Sequence, residues 1–265
     1  MLPETFHETK GFLLDLNGVF YVANRTLPGA QAAITALRNS GLPYRYVTNN
    51  TTQSTQSMSA SLQAMGLAID PSEIVTAAYA AVLHLRQLGN PKIYPLVTED
   101  AKQDFSEFTW SDTDADVIVV GDIGDDWSYR LMNRAFRLMM KGAQVMALHR
   151  GKYWQWEAGL QLDIGAFVAG LEYATDQSAV VVGKPNPAFY HRVLDELGLP
   201  ATAVVMIGDD IEADIKGAQG VGMKAILVKT GKYRPHLVAQ ANITPDGEIH
   251  HIGAIADWLT PAQTT

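Results

Sequence analysis

The sequence predicts an α/β protein with a doubly wound parallel sheet, into which a second, smaller α/β domain is inserted. Three observations predict it. Short apolar runs such as Phe12-Leu13-Leu14 and Val204 to Ile207 are too brief for helices and suit buried parallel strands. After a polar turn, most are followed by a helical pattern of roughly ten to fifteen residues, the alternation that gives parallel pairing through right-handed crossovers. This alternation gives way to a second α/β set after about residue 78 and returns at Ser178.

In chain order, the first strand delivers Asp15 and breaks at Asn17-Gly18, a turn dipeptide. Ligands of open parallel sheets lie beyond the carboxyl ends of the strands, which places Asp15 at the mouth of a cleft. Read alone, the stretch is equally a strand ending in a polar turn. Pro28 suits a first helical turn, and Ala33, Ile34 and Leu37 belong to the apolar face of the helix that Ser40-Gly41 closes. Tyr44, Tyr46 and Val47 read as a second strand, which stops at Thr48-Asn49-Asn50. A helix from about Ser54 to Met65 presents Met58, Leu62 and Met65 on one face, with Gly66 as its stop. From Pro71 to Leu88 the pattern is helical, closing at Gly89-Asn90-Pro91.

The second set opens with strands at Lys92 to Val97 and Ala115 to Gly121, separated by a polar loop from Ser106 to Asp114. An amphipathic helix, Tyr129 to Met140, and a strand, Val145 to Leu148, follow. Ala179 to Val182 then reads as a strand of the first architecture, ending in Gly183-Lys184-Pro185. A helix from Pro187 to Leu197 leads to the strand Val204 to Ile207, which ends in Gly208-Asp209-Asp210. A helix from Ile211 to Gln219 and a strand from Ala225 to Val228 complete the pattern. The expected domains are a discontinuous core, residues 1–78 and 177–265, and an inserted domain, residues 79–176. Insertion is tolerated because loop-closure cost grows slowly with length. Such a domain is expected over the strand ends, as a lid.

The chain has 265 residues, 47% of them apolar, enough to bury a sizeable core. Its 20 Lys plus Arg stand against 28 Asp plus Glu, a net charge of −8 that argues against nucleic acid or an anionic membrane surface as partner. The absence of Cys excludes disulfides, thiolate-metal sites and a Cys nucleophile, and fits a reducing, cytoplasmic location. No apolar run approaches the roughly 20 residues that span a membrane, and the first residues lack the features of a signal peptide. A soluble protein is expected.

Four segment ends converge on one edge of the predicted core: Asp15-Leu16-Asn17, Thr48-Asn49, Lys184, and Asp209-Asp210 with Asp214 one helical turn on. Together they offer a nucleophilic carboxylate, hydrogen-bond donors, a cation and a carboxylate cluster. Asp209, Asp210 and Asp214 beside Asp15 repel one another unless a hard dication neutralises them, and Mg²⁺ is the natural one. A helix N-cap explains one of these acids well and three poorly.

Leu14-Asp15-Leu16-Asn17-Gly18-Val19, Val47-Thr48-Asn49-Asn50, Gly183-Lys184-Pro185 and Ile207-Gly208-Asp209-Asp210 with Asp214 resemble the four motifs of the haloacid dehalogenase superfamily of phosphohydrolases. The segments Ser128 to Phe136, Gly170 to Ala174 and Val228 to Tyr233 resemble its C2-capped branch, so the likeness covers nearly the whole chain. It implies a Rossmann-like core with a C2-type cap. It also implies that Asp15 attacks phosphorus, and that Asp15, the Asn17 carbonyl and Asp209 hold Mg²⁺. By the same likeness Thr48 and the Asn49 backbone bind phosphate, Lys184 neutralises charge, and Asp210 and Asp214 position Lys184 or metal-bound water. Dehalogenation itself has no use for the acidic cluster, so hydrolysis of a small phosphorylated substrate is expected.

Asn17 departs from the wider family, which usually has there the Asp that protonates the leaving group. An amide does not, and losing such proton transfer typically costs about 10²–10⁴-fold in rate. Two readings follow: a substrate with a good leaving group (phosphoramidate, acyl phosphate or pyrophosphate), or a weak or silent enzyme that binds phosphate or a partner. The segment His149-Arg150-Gly151-Lys152-Tyr153-Trp154-Gln155-Trp156 is basic and aromatic in an acidic chain. It reads as a specificity loop contributing Arg150 and Tyr153, or equally as aromatics packed within the cap or at a homodimer contact. His149 itself reads as a hydrogen-bonded structural residue.

Overall fold

The computed structural model describes residues 6–156 and 159–259. Strand β1 (Gly11–Asp15) is buried at every position, as a central strand covered on both faces must be. A short hairpin of β2 (Tyr21–Val22) and β3 (Arg25–Thr26) follows. Helix α1 (Ala30–Ser40) buries Ala30, Ala33, Ile34 and Leu37 on one face and ends at Gly41 in the left-handed conformation. Next come β4 (Tyr44–Thr48), α2 (Thr55–Ala64), β5 (Ile74–Thr76) and α3 (Ala77–Gln87).

The stretch after Pro71 departs from the helix expected there. Pro71–Glu73 is a single 3₁₀ turn closed by a capping box with Asp70. Ile74-Val75-Thr76, three buried β-branched residues, prefer the pleated surface of a sheet and form β5. The helix begins only at Ala77, where the Thr76 hydroxyl accepts from the Tyr79 N–H at 2.9 Å.

The chain continues through β6 (Ile93–Leu96), β7 (Val117–Val120), α4 (Tyr129–Met139) and β8 (Gln144–Ala147). An antiparallel hairpin, β9 (Tyr153–Trp156) and β10 (Gly159–Leu162), precedes α5 (Gly165–Thr175) and β11 (Val180–Val181). Then come α6 (Pro187–Leu197) and β12 (Val204–Gly208). The helix expected from Ile211 starts as a π turn, Ile211–Lys216, before α7 (Gly217–Gln219). Strand β13 (Lys224–Val228), α8 (Pro235–Gln240), β14 (Gly247–Ile249) and α9 (Ala254–Leu259) finish the described chain.

Two compact units result. One comprises the described residues up to 48, with 59–75 and those from 184 on; the other comprises 49–58 and 76–183. In the first, a six-stranded sheet has the order β14-β13-β12-β1-β4-β5, with β1–β12, β1–β4, β12–β13 and β13–β14 paired parallel. Phe12, Leu13, Leu14, Ile207 and Leu227 are fully buried in it. The second unit holds the parallel sheet β11-β8-β7-β6. Strand β11 is a correction: Val180 and Val181 pair with Met146 and Ala147, so this strand belongs to the second sheet and not to a return of the first. An apolar pair before Gly-Lys-Pro carries no information about which sheet has a vacant edge.

Candidate active site

In the first unit the strand order reverses around β1, with β4 on one side and β12 then β13 on the other. Such a switch point is where an open parallel sheet leaves a crevice. The register places Leu14 beside Ile207, Asp15 beside Val47, and Gly208 beside Leu227. Asp15, Thr48, Asp209 and the loop after Val228 therefore emerge at one edge. Asp15, Thr48, Lys184, Asp209 and Asp214 are all buried.

Lys184 joins two of the acids. Its Nζ donates to Asp15 Oδ1 at 2.5 Å and to Asp214 Oδ1 at 2.7 Å, and reaches the Val47 carbonyl at 3.4 Å. The second oxygen of Asp214 accepts from the Asp210 N–H at 3.1 Å, so both Asp214 oxygens are engaged. Asp209 Oδ2 accepts from the Lys232 N–H at 2.6 Å. Asp210 Oδ1 caps the π turn, accepting from the N–H groups of Glu212 and Ala213 at 3.0 Å each, and its Oδ2 accepts from Lys232 Nζ at 3.0 Å. Oδ2 of Asp15 and Oδ1 of Asp209 have no hydrogen bond among the described residues.

Burial dominates the electrostatics. It pushes the Asp15 carboxyl up to about 7, against the pull of Lys184 and with the repulsion of Asp214 added. Asp209 is driven well above the ordinary carboxylate range by burial and then by the charges of Asp15 and Asp214. Burial would also raise Asp210, but Lys232 and the two backbone donors outweigh it and hold that carboxyl low. Asp15, Asp209 and Asp214 each offer an oxygen within 4.8 Å of the others. A hard dication fits this oxygen-only set and would relieve the cost of ionising it. With Asp214 committed to Lys184 and Asp210, Asp15 and Asp209 are the acids left to hold it.

Two glycines make this packing feasible. Gly18 has φ +94°, and a Cβ there would lie 1.9 Å from Asp209 Oδ2. A Cβ on Gly231, at φ +52°, would lie 2.0 Å from the same oxygen and 2.4 Å from Gly18 Cα. The Thr230 hydroxyl donates to the Gly18 carbonyl.

These features have counterparts in known proteins. The profile of haloacid dehalogenase-like hydrolases matches residues 12–111, and a HAD-hydrolase-like profile matches residues 181–255. Haloacid dehalogenase-like hydrolase domain-containing protein 2 of Homo sapiens is 41% identical over 227 residues, 85% of this chain and 86% of that protein. This chain belongs to the haloacid dehalogenase-like hydrolase family. Phospholysine phosphohistidine inorganic pyrophosphate phosphatase of Homo sapiens is 34% identical over 256 residues, covering 94% of each chain. The 4-nitrophenylphosphatase of Thermotoga maritima superposes with a TM-score of 0.91 at 26% identity, over 97% of this chain and 100% of that one.

In this hydrolase the sequence-predicted residues divide by position. Asp15, Thr48, Lys184, Asp209, Asp210 and Asp214 lie in the first unit. Asn17 lies there too, with its side chain exposed and its backbone bridged to Tyr21. Asn49, Arg150 and Tyr153 lie in the second unit. There Arg150 donates to Glu172 Oε2 at 2.7 Å, and Tyr153 is 45% exposed. His149 is buried, its Nδ1 accepting from the Gly151 N–H at 3.0 Å. The side chains of residues 155–160, Trp156 included, lie outside the description. Sequence reasoning assigned no role to Thr230, Gly231 and Lys232. The signal was present, since they follow a buried strand as Asp15 and Asp209 do.

Proposed function

We propose that this chain is a Mg²⁺-dependent phosphohydrolase that works through an aspartyl-phosphate on Asp15. The observation that carries the reading is the division of labour among buried carboxylates. Lys184 ties Asp15 to Asp214, while Asp15 Oδ2 and Asp209 Oδ1 remain available. Mg²⁺, held by these two acids with the Asn17 carbonyl, would supply charge neutralisation for an incoming phosphate. Thr48 and the Asn49 backbone are assigned to the phosphate oxygens.

Asp15 attacks phosphorus, and the bond from phosphorus to the leaving group breaks with its electron pair going to that group. Lys184 offsets the negative charge gathered at Asp15 and the transferring phosphoryl group. A water molecule then attacks the phosphorus of the acyl phosphate, inorganic phosphate departs, and the Asp15 carboxylate is restored. Asn17 cannot supply or remove a proton in either step, so solvent must take that part. Leaving groups that depart readily are favoured: phosphoramidates, acyl phosphates, aryl phosphates and pyrophosphate. The names of the human phospholysine phosphohistidine inorganic pyrophosphate phosphatase and the bacterial 4-nitrophenylphosphatase agree with that class.

We assign the inserted part of the second unit, residues 76–183, to the C2-type cap, with Arg150 and Tyr153 as specificity residues. A homodimer and a cytoplasmic location belong to the same proposal. The test is phosphate release from a panel of alkyl, aryl, phosphoramidate and pyrophosphate substrates with and without Mg²⁺. Turnover confined to the activated substrates, dependent on Mg²⁺, is expected. Arg150→Ala should shift preference among them with the core's stability unchanged; a uniform loss on every substrate together with a lowered melting temperature would assign Arg150 to packing.

A further inference from the structure

We infer that the loop Thr230-Gly231-Lys232 is a working part of the site, a clamp that fixes Asp209 against Gly18 and thereby sets the affinity for the dication. The inference rests on the metal reading above. The loop leaves β13 at the sheet edge where Asp15 and Asp209 emerge. It makes three directed contacts. The Lys232 N–H donates to Asp209 Oδ2 at 2.6 Å, Lys232 Nζ donates to Asp210 Oδ2 at 3.0 Å, and the Thr230 hydroxyl donates to the Gly18 carbonyl.

Gly231 and Gly18 come from segments more than two hundred residues apart, yet both press on one oxygen. A Cβ on either would lie within 2.0 Å of Asp209 Oδ2. That carboxylate is thus wedged between two backbones and held at one oxygen by a charge-assisted bond. Fixing Oδ2 orients Oδ1, the oxygen left for the ion, so little rotamer freedom remains to be lost on binding. The same latch holds the carbonyl of Gly18, the residue after Asn17, whose own carbonyl is assigned to the metal. Thr230 and Lys232 are positioning residues: they act through Asp209 and the turn after Asp15.

Loss of an outer-shell partner typically costs about 10–100-fold in metal affinity. Calorimetric titration of the full chain with MgCl₂ at pH 7.5, alongside the melting temperature without metal, tests the clamp. Thr230→Val should weaken Mg²⁺ binding by about 10-fold or more, and Thr230→Ser, which keeps the donor, should stay near wild type. A Thr230→Val dissociation constant within about twofold of wild type would overturn the clamp, whatever its melting temperature. Should Thr230→Val fail to fold, Thr230→Ala decides, because it removes the same donor with a smaller side chain. A Thr230→Ala dissociation constant within about twofold of wild type would then overturn the clamp. No Mg²⁺ uptake by the wild-type chain would refute the metal reading itself, a result separate from variants that bind like wild type.

Discussion

At the residue scale the proposed nucleophile, Asp15, meets opposing demands, since attack requires it ionised and burial resists ionisation. Its carboxyl stands at about 7 without metal, against 3.8 in the unfolded chain. The unfolded chain therefore sheds this proton first, and stability falls as pH rises from about 4 to about 7; below that window the penalty is absent. The metal-free protein should gain melting temperature as pH drops from 7 to 5, and the gain from adding Mg²⁺ should shrink over the same interval. Thermal melts at several pH values with and without MgCl₂ check this. A metal effect independent of pH would mean that Asp15 is not the titrating ligand. Asn17 supplies a second prediction. Asn17→Asp should raise hydrolysis of alkyl phosphates by about 10²-fold or more and of aryl phosphates less. Equal rates for both forms on every substrate would show that the missing acid does not limit turnover. The clustering of Asp15, Lys184, Asp209 and Asp214 was legible in the sequence because the first three lie just past apolar strands and Asp214 lies one helical turn beyond Asp210. Lys232 was passed over although it too follows a buried strand, because a lone Lys after Thr-Gly also suits an ordinary turn.

At the element scale the site depends on turns that tolerate only glycine. Gly18 and Gly142 both have positive φ, +94° and +104°, but only Gly18 has close neighbours. Gly18→Ala should cost backbone strain of about 1–3 kcal/mol and also displace Asp209, abolishing most of the Mg²⁺-dependent gain in stability. Gly142→Ala shares the backbone cost and should keep that gain. Denaturant midpoints with and without Mg²⁺ separate the two, and a retained gain in Gly18→Ala would show that Asp209 is not the metal's ligand. Strands β1, β7, β12 and β13 were legible because each carries a buried apolar run between polar turns. Strand β5 was hidden inside a helical pattern, where Ile74-Val75-Thr76 join their neighbours in a plausible helical face. The hairpin β2–β3 was missed because its strands have two residues each, and β9–β10 because its first strand lies in the basic, aromatic segment read as a specificity loop.

At the scale of the whole molecule an acidic chain of net charge −8 concentrates buried carboxylates at one sheet edge and balances them with Lys184 and Lys232. The described residues include no helix long and apolar enough to cross a membrane. Alternation of strands and helices announced two α/β units, but which sheet β11 joins was settled only by pairing across distant sequence. In the proposed reaction the phosphoryl group passes through Asp15. Acid quenching of the wild-type enzyme, mixed with Mg²⁺ and a ³²P-labelled aryl phosphate on the millisecond scale, tests it most directly. Protein-bound label is expected, released by hydroxylamine as an acyl phosphate is, with no label and no turnover in Asp15→Asn. Turnover that survives in Asp15→Asn, or label carried on another residue, would contradict it.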